Sequence, residues 1–229
     1  MKHGKSYNKA AESYDRNESF AVGEAIDILA KMPKAKFDES VEVAIRLGVN
    51  PRHADQMVRG TVVLPNGTGK TVRVLVITRG PKEQEALDAG ADMVGADEYL
   101  PKIKDGWTDV DVIIATPDMM GELGRLGRIL GPRGLMPNPK VGTVTMDITK
   151  AVSEAKAGRI EYRVDKAGII NVPVGKRSFS EADLTENVST LIRELVRVKP
   201  AAVKGTYVRS MFVSGTMTPS IRVDSTSCV

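Results

Sequence analysis

The sequence predicts an α/β protein, because a central block of short apolar strands and alternating helices lies between two flanks of a different pattern. Strand candidates occupy 72–78, 92–94 and 110–115, and helical stretches near 82–90 and 97–104 separate them. This alternation predicts a parallel sheet that is covered on its faces. The strands of the flanks instead alternate apolar and polar residues, which is typical of strands with one buried face.

The N-terminal flank begins with a polar and charged stretch, to about Asn17, which predicts a loosely held helical or disordered arm. A helix is expected after Ser19, because apolar residues follow it at helical spacing, and Pro33 closes that helix. Residues 41–47 alternate in character and predict a half-buried strand, and a second strand is expected at 60–64.

The C-terminal part of the chain carries clear helix boundaries. Gly158 suits a left-handed helix cap, Ser180 with Asp183 resembles a capping box, and Pro200 ends the helix that follows. The pattern predicts a helix at 147–157, a hairpin of strands 159–164 and 168–174, a helix after Ser180, and strands at 206–213 and 220–223. Pattern alone leaves open whether the two flanks form one domain.

The charge of the chain favours a polyanionic partner only weakly. The net charge is +4 and the isoelectric point is near 9.1, with 41% hydrophobic and 27% charged residues, which is ordinary for a globular protein. Residues 67–157 carry 12 Lys/Arg against 13 Asp/Glu, whereas the flanks carry 21 against 16. Any surface for a polyanion such as RNA is therefore expected to come mainly from the flanks.

The apolar runs and the cysteine usage predict a cytoplasmic protein. The longest apolar runs are short and interrupted, so we expect no transmembrane helix. The start of the sequence has cations but no apolar region behind them, so we expect no secretory signal. Cys228 is the single cysteine, and it leaves nothing for an internal disulfide.

The most unusual segment runs from Gly124 to Gly142 and is rich in glycine and proline, which break regular structure. Its cations are Arg125, Arg128, Arg133 and Lys140, and no acidic residue occurs from Leu123 through Met146. Such a backbone can approach a phosphate closely and offer N–H groups beside the guanidinium groups. The composition fits equally well a tight loop whose glycines only form turns.

Gly67–Thr71 offers an alternative, a nucleotide-binding α/β enzyme with a phosphate-binding P-loop. The full motif requires a glycine where Leu64 stands, and a helix after the lysine where 72–78 predicts a strand. Without the helix N-terminus such a loop loses its main phosphate donors. The Gly-x-Gly-x-x-Gly fingerprint of a dinucleotide site is also missing after that strand. We therefore favour a turn.

Catalytic and metal constellations are equally incomplete. His3 and His53 lie far in sequence from Cys228, so we expect neither a zinc site nor a cysteine–histidine pair, and no cofactor. Asp109 and Asp111 are interpreted as solvated residues near a strand end rather than as an acid/base pair.

The Gly-rich segment closely resembles the signature of the family of bacterial large-subunit ribosomal protein one, the protein of the mobile stalk beside the exit site. Further blocks that resemble the family stand in the same order and run nearly end to end. They are Lys36–Glu42, Asp55–Val62, Ala89–Asp92, Ala115–Asp118, Ala157–Arg159 with Asp165-Lys166, and Thr216–Ser220. The extent of the resemblance makes chance similarity a poor explanation.

The resemblance implies a particular domain organisation. Residues 1–66 and 158–229 would together build a discontinuous α+β domain that binds RNA. Residues 67–157 would form an inserted, Rossmann-like α/β domain with a parallel sheet, joined through two hinge strands. The Gly-rich segment would then contact ribosomal or transfer RNA, or shape the interface between the domains.

The resemblance also implies which residues contact ribosomal RNA. Without the resemblance, Phe37 is expected in the core and Thr216–Ser220 is expected to form a turn. With the resemblance, both are expected to contact RNA instead. The residues carried over are Lys36, Phe37, Ser40, Glu42, Asp165, Lys166, Ser210, Thr216, Met217 and Thr218. Hydroxyl groups in this set can bond ribose 2′-OH groups, which distinguishes RNA from DNA.

Three positions depart from the common family pattern. Thr218 stands where glycine is common, Val164 replaces asparagine, and Asn171 replaces histidine. The finer contacts at the edge of the site are therefore expected to differ from those of other members.

The function implied is that of a non-enzymatic protein of the large ribosomal subunit. Its partners would be the stalk ribosomal RNA, the exit-site transfer RNA whose release it assists, and the leader of its own messenger RNA, which the free protein would repress. A monomer is expected when the protein is free. The nucleotide-binding enzyme remains the alternative.

Overall fold

A computed structural model of the chain describes residues 4–224, so His3 and Cys228 lie outside the described residues. Within that range the α-helices are α1 (Lys5–Ala11), α2 (Val22–Lys31), α3 (Lys82–Asp88), α4 (Tyr99–Lys104), α5 (Met120–Arg125), α6 (Gly127–Leu130), α7 (Ile148–Lys156) and α8 (Glu181–Arg197). The strands are β1 (Ser40–Leu47), β2 (Arg59–Val63), β3 (Val74–Ile77), β4 (Met93–Val94), β5 (Val112–Ala115), β6 (Arg159–Arg163), β7 (Ile169–Lys176), β8 (Val208–Gly215) and β9 (Ile221–Val223).

The chain forms two compact units. The first combines Met1–Gly69 with Ile160–Val229, and the second is the continuous segment Lys70–Arg159. The first unit mixes helices with antiparallel strands from both ends of the chain, and the second contains a parallel sheet. The predicted class, a split α+β domain with an inserted parallel-sheet α/β domain, is confirmed.

The main sheet of the first unit has the strand order β7-β1-β8-β9, and its pairs are antiparallel. Its inward residues alternate along each strand and pack with α2 and α8 in one hydrophobic core. Helix α8 begins as predicted, because Ser180 Oγ accepts a hydrogen bond from the Asp183 backbone N–H at 3.2 Å. Its apolar stripe, from Leu184 to Leu195, is buried.

The predicted hairpin of 159–164 and 168–174 is wrong. Strands β6 and β7 follow each other in sequence but lie in different sheets, β6 beside β2 and β7 beside β1. Strands β1 and β7 both have eight residues and pair along nearly their whole length, whereas β6 matches the five-residue β2. A long strand satisfies more backbone groups against a partner of equal length than against its short neighbour in sequence.

The helical form predicted for the N-terminal arm is confirmed in α1, but contacts with the first unit correct the expectation that the arm is loosely held. Ala10 of α1 is buried in the core of the first unit, and the Tyr14 hydroxyl donates to the Ser220 carbonyl at 2.8 Å. Helix α1 buries only this alanine, which leaves no apolar period in the sequence to reveal it. Helix α2 begins at Val22, after Ser19 as predicted, and the Glu24 carboxylate accepts a hydrogen bond from the Ala21 N–H.

The parallel sheet of the second unit has the order β4-β3-β5 and is buried on both faces. Leu75 and Ile77 of β3 pack into one hydrophobic cluster with residues of α4, α5 and α6, and Val74 and Val76 pack into another with α3 and α7. Helix α7 is followed by Gly158 with a φ of 94°, which agrees with the predicted left-handed cap.

The Gly-rich segment is more regular than its composition predicts. It begins with the end of α5 and the whole of α6, and a 3-10 helix spans Pro139–Val141. Leu123 and Leu130 are fully buried in the core of the second unit. Their burial stabilises two short helices despite the intervening glycines.

Candidate nucleic-acid interface

The outer side of the main sheet in the first unit presents polar and half-exposed side chains, and we call it the open face. In the register of the sheet, Glu42 lies opposite Ser214, Ala44 opposite Phe212 and Asn171, Arg46 opposite Ser210, and Arg222 opposite Phe212. All of these side chains are exposed or half-exposed, whereas their sequence neighbours along the strands point into the core. The strand period of two thus separates a core face from a surface that a partner can reach.

Seven of the predicted contact residues lie at one end of the open face, which we call the upper end. They are Lys36, Phe37, Ser40, Glu42, Thr216, Met217 and Thr218. The backbone N–H of Ser40 donates to Thr216 Oγ1 at 3.1 Å, which ties the start of β1 to the loop after β8. Phe37 is 54% exposed and Met217 is 63% exposed. Two large apolar side chains therefore stand in solvent beside hydroxyl groups, which is typical of a binding surface.

The hydroxyl groups at the upper end are partly engaged within the protein. Thr216 Oγ1 accepts from the Ser40 N–H and lies 3.3 Å from the Ser40 carbonyl oxygen, to which it can donate. Ser40 Oγ accepts from Lys176 Nζ at 3.3 Å. Each hydroxyl keeps an acceptor lone pair for a further donor, so these groups are oriented in advance toward a ligand that can donate a hydrogen bond.

A buried ion pair holds the loops of the upper end in place. Glu39 is 1% exposed, and its carboxylate accepts from Arg177 Nη1 at 3.1 Å, from the Ala35 N–H at 2.7 Å and from the Met217 N–H at 3.3 Å. The Arg177 guanidinium also donates to backbone carbonyls at the end of α2, including Leu29 at 2.6 Å. The Glu39–Arg177 pair therefore connects the segments that carry Phe37 and Met217, and no motif in the sequence pointed to it.

Thr218 adopts an ordinary backbone conformation at the position where the family commonly has glycine. Among the described residues, positive φ angles occur at glycines alone. Thr218 Oγ1 accepts from the Gly215 N–H at 2.8 Å and closes the turn after β8. The turn is therefore closed by a side-chain hydrogen bond of the threonine and does not need the backbone flexibility of a glycine.

The remaining predicted contacts lie at the opposite end of the open face, which we call the lower end. Ser210 is opposite Arg46 and precedes Thr216 by six positions, which corresponds to about 20 Å along the strand. Asp165 and Lys166 lie in the turn before β7, and the Gly168 carbonyl of this turn accepts from the Leu47 N–H at 2.8 Å. The predicted set is therefore split between two ends of one face.

The residues between the two ends were missed from the sequence. Phe212 and Arg222 lie between the two ends, and Ser214 and Arg46 lie beside them, opposite Glu42 of the upper end and Ser210 of the lower end. Arg46 and Arg222 are exposed and form no ion pair with any residue from 4 to 224. The alternation of β1 and β8 could have revealed them, because every second residue of a half-buried strand faces outward.

The cations of the Gly-rich segment lie in the second unit. Arg125, Arg128, Arg133 and Lys140 are all exposed, and within the described chain none of them forms an ion pair. Most cations elsewhere in this unit are paired, such as Arg73 with Asp109 and Asp111. The segment is therefore a concentrated positive surface whose partner remains a prediction.

The P-loop interpretation of Gly67–Thr71 finds no support in the geometry. Gly67 and Gly69 have φ angles of 65° and 68° and form turns, and the next regular element is strand β3 rather than a helix. In the part of the chain that the structure describes, no cluster of three or more His, Cys, Asp or Glu side chains could hold a metal ion. No described helix is long and apolar enough to cross a membrane.

Comparison with known families agrees with this geometry. The model of the ribosomal protein L1p/L10e family matches residues 29–219, which include most of the open face, the parallel sheet and the Gly-rich segment. Members of this family are structural ribosomal proteins that bind ribosomal RNA, and it is not a family of enzymes. The extent of the match, over most of the sequence, assigns this chain to the ribosomal protein L1p/L10e family.

Proposed function

We propose that this protein is a bacterial constituent of the large ribosomal subunit that binds the ribosomal RNA of the mobile stalk through the open face. In this proposal it assists the release of transfer RNA from the exit site. When free in the cytoplasm it is a monomer that represses translation of its own messenger RNA by binding the leader with the same face. It carries out no enzymatic reaction.

The observation that supports this proposal best is the composition of the upper end. Exposed Phe37 and Met217 flank the hydroxyl groups of Ser40 and Thr216, whose orientation the protein itself fixes. Free hydroxyl lone pairs can accept from ribose 2′-OH groups, while a thioether and a ring fill apolar gaps against sugar or base. Such a surface recognises a folded RNA by its shape and its sugars.

Two arginines of the open face supply the electrostatic part of this recognition. Arg46 and Arg222 lie on the same face with strand β8 between them, opposite Ser210 and Phe212, and neither has a carboxylate partner among the described residues. Unpaired guanidinium groups can approach phosphates without first breaking an internal ion pair. We expect these two arginines to provide the salt-dependent part of the affinity, and the upper end to provide the part that depends weakly on salt.

The exposed cations of the Gly-rich segment suit a second anionic partner. Arg125, Arg128, Arg133 and Lys140 have no internal carboxylate to satisfy them within the described chain. In our proposal they contact transfer RNA or a second part of the ribosomal RNA. Repression needs no separate site, because the leader and the stalk RNA would compete for the open face.

Filter binding to a stalk RNA fragment tests this function. The double variant Thr216→Val with Met217→Ala removes one hydroxyl and one exposed thioether, and we expect its affinity to fall about 100-fold. Arg128→Ala removes an exposed cation of the other unit, and we expect less than about a threefold change.

The matched control is Thr216→Ser, which retains the hydroxyl and its hydrogen bonds to Ser40. It should bind almost as tightly as the unmodified protein. The assignment of the open face is wrong if Arg128→Ala weakens binding more than the double variant does.

A further inference from the structure

A groove opens at the lower end of the open face, between the segment before β2 and the end of β6. It encloses about 740 Å³ and is lined by Pro51, Arg52, Met57, Arg163, Val164, Asp165 and Lys166. Asp165 and Lys166 belong to the predicted RNA contacts and Val164 is one of the departures from the family pattern, whereas Arg52 and Arg163 were not singled out. The groove is thus continuous with the candidate interface but extends beyond it.

The walls of the groove are fixed by hydrogen bonds from side chains to the backbone. On one side Gln56 Oε1 accepts from the Asn50 N–H at 2.9 Å. On the other side Asp165 Oδ1 accepts from the N–H groups of Ala167 and Ile169, both at 2.8 Å. Both walls are therefore ordered before a ligand arrives, which lowers the entropic cost of binding.

The floor and one side of the groove are apolar. Val164 is buried, Met57 is 43% exposed, and Pro51 lies beside them. Val164 also donates its N–H to the Val58 carbonyl at 3.0 Å, so its backbone is already satisfied. A ligand group over this floor must be flat or apolar, because the floor offers it few hydrogen bonds.

The rim carries three cations, Arg52, Arg163 and Lys166, and all three are exposed. None of them forms an ion pair with a described residue. The single carboxylate of the lining, Asp165, is held by the turn through its Oδ1. The rim thus attracts an anion, while the floor accepts an apolar surface.

We propose that this groove binds one unstacked nucleotide of the bound RNA, with its base over Met57 and Val164 and its phosphate between Arg52 and Arg163. A nucleotide combines a flat apolar face with an adjacent anion, which matches the floor and the rim together. Protein sites for RNA commonly hold splayed bases against apolar side chains or guanidinium planes. The inference rests on the proposed function, because it extends the same RNA interface.

Methyl NMR of the methionines with adenosine 5′-monophosphate as the probe tests this site. We expect the Met57 methyl signal, assigned through Met57→Leu, to shift and saturate at millimolar nucleotide. The Met217 methyl signal, at the other end of the face, should not move. Arg163→Ala should weaken the binding about tenfold, because it removes a phosphate partner. The matched control Arg193→Ala, an exposed arginine of α8, should leave it unchanged.

Three other results would contradict the proposal. One is a Met57 signal that stays in place at about 10 mM nucleotide. Another is an equal shift with inorganic phosphate alone, which would indicate an anion site without a base. The third is continued binding of the nucleotide in the groove while the stalk RNA fragment is tightly bound. The RNA would then leave the groove empty, so the proposed function would stand without this subsite. A stalk RNA fragment that does not bind at all contradicts the proposed function itself.

Discussion

The two units of this protein use their sheets in opposite ways. In the first unit helices α2 and α8 cover one side of the main sheet, and the other side carries exposed residues such as Glu42 and Arg46. In the second unit every residue of β3 is buried, because hydrophobic clusters cover both sides of the parallel sheet. Only the first unit therefore offers a sheet surface to a partner.

In the proposed function, this difference separates two kinds of contact with nucleic acid. The open face combines hydroxyl groups, apolar side chains and two arginines that form no ion pair within residues 4–224, so we expect it to recognise RNA by shape and sugars. The second unit presents cations on short helices and turns of the Gly-rich segment, which suits contact with phosphates. Changes at matched positions of the two units can test this contrast.

A carboxylate introduced into each of the two sheets should produce the largest difference in stability between the two units. Val76 is 0% exposed, so Val76→Glu buries an unpaired carboxylate and should destabilise the second unit by about 4 kcal/mol or more. Ala44→Glu places the same group at the centre of the open face, where water reaches it, and should cost less than about 1 kcal/mol. Amide hydrogen exchange resolves the two units and measures both effects.

Ala44→Glu should also repel RNA phosphates and weaken binding to the stalk fragment about tenfold. The contrast between the two sheets fails if Ala44→Glu unfolds the first unit, or if Val76→Glu leaves the second unit intact.

Removal of Glu39 should give the next largest effect, confined to the first unit. Glu39→Ala leaves the Arg177 guanidinium buried without its carboxylate, and such a loss costs about 3–5 kcal/mol. Glu161→Ala breaks the more exposed pair with Arg59 and should cost less than about 1 kcal/mol. Urea unfolding, with hydrogen exchange of the β1 and β8 amides as the readout, measures the loss of stability of the first unit in each variant. Equal losses for the two variants would contradict the role of Glu39.

Acid should weaken the second unit slightly through Asp92. Its pKa is lowered, first by the Val74 N–H, which donates to the carboxylate at 2.9 Å, and then by Lys156. Because the folded pKa lies below the unfolded one, this contribution is present above the unfolded pKa and is lost as the pH falls through the folded pKa.

Asp92→Asn keeps an acceptor for Val74 but cannot titrate. It should therefore reduce the loss of stability of the second unit between neutral and acidic pH, as urea midpoints would show. The first unit provides the internal control. An unchanged pH dependence in the variant would contradict this assignment.

The elements with regular periods could be predicted from the sequence. The alternation at 41–47, the capping pair at Ser180 and Asp183, and the apolar strands of the central block all signal local structure that the fold preserves. The pairing of β6 with β2 could not be predicted, because it depends on a competition between strands that are distant in sequence. Local patterns carry no information on that choice.

The candidate site was predictable only where the family resemblance named residues. The upper and lower ends contain those residues, but the Glu39–Arg177 pair and the cationic rim of the groove depend on the tertiary arrangement. Buried ion pairs look like ordinary surface charges in a sequence. Arg46 and Arg222 are an intermediate case, because the strand period places them outward but does not say that they share a face.

The most direct test of the central claim compares the salt dependence of stalk RNA binding for two double variants. Arg46→Ala with Arg222→Ala removes two cations of the open face, and Arg125→Ala with Arg128→Ala removes the same charge from the second unit. If the open face binds the RNA, the first variant lowers the slope of log affinity against log salt by about 1 to 2, and the second leaves it unchanged. A slope that falls only in the second variant would contradict the claim that RNA binds to the open face.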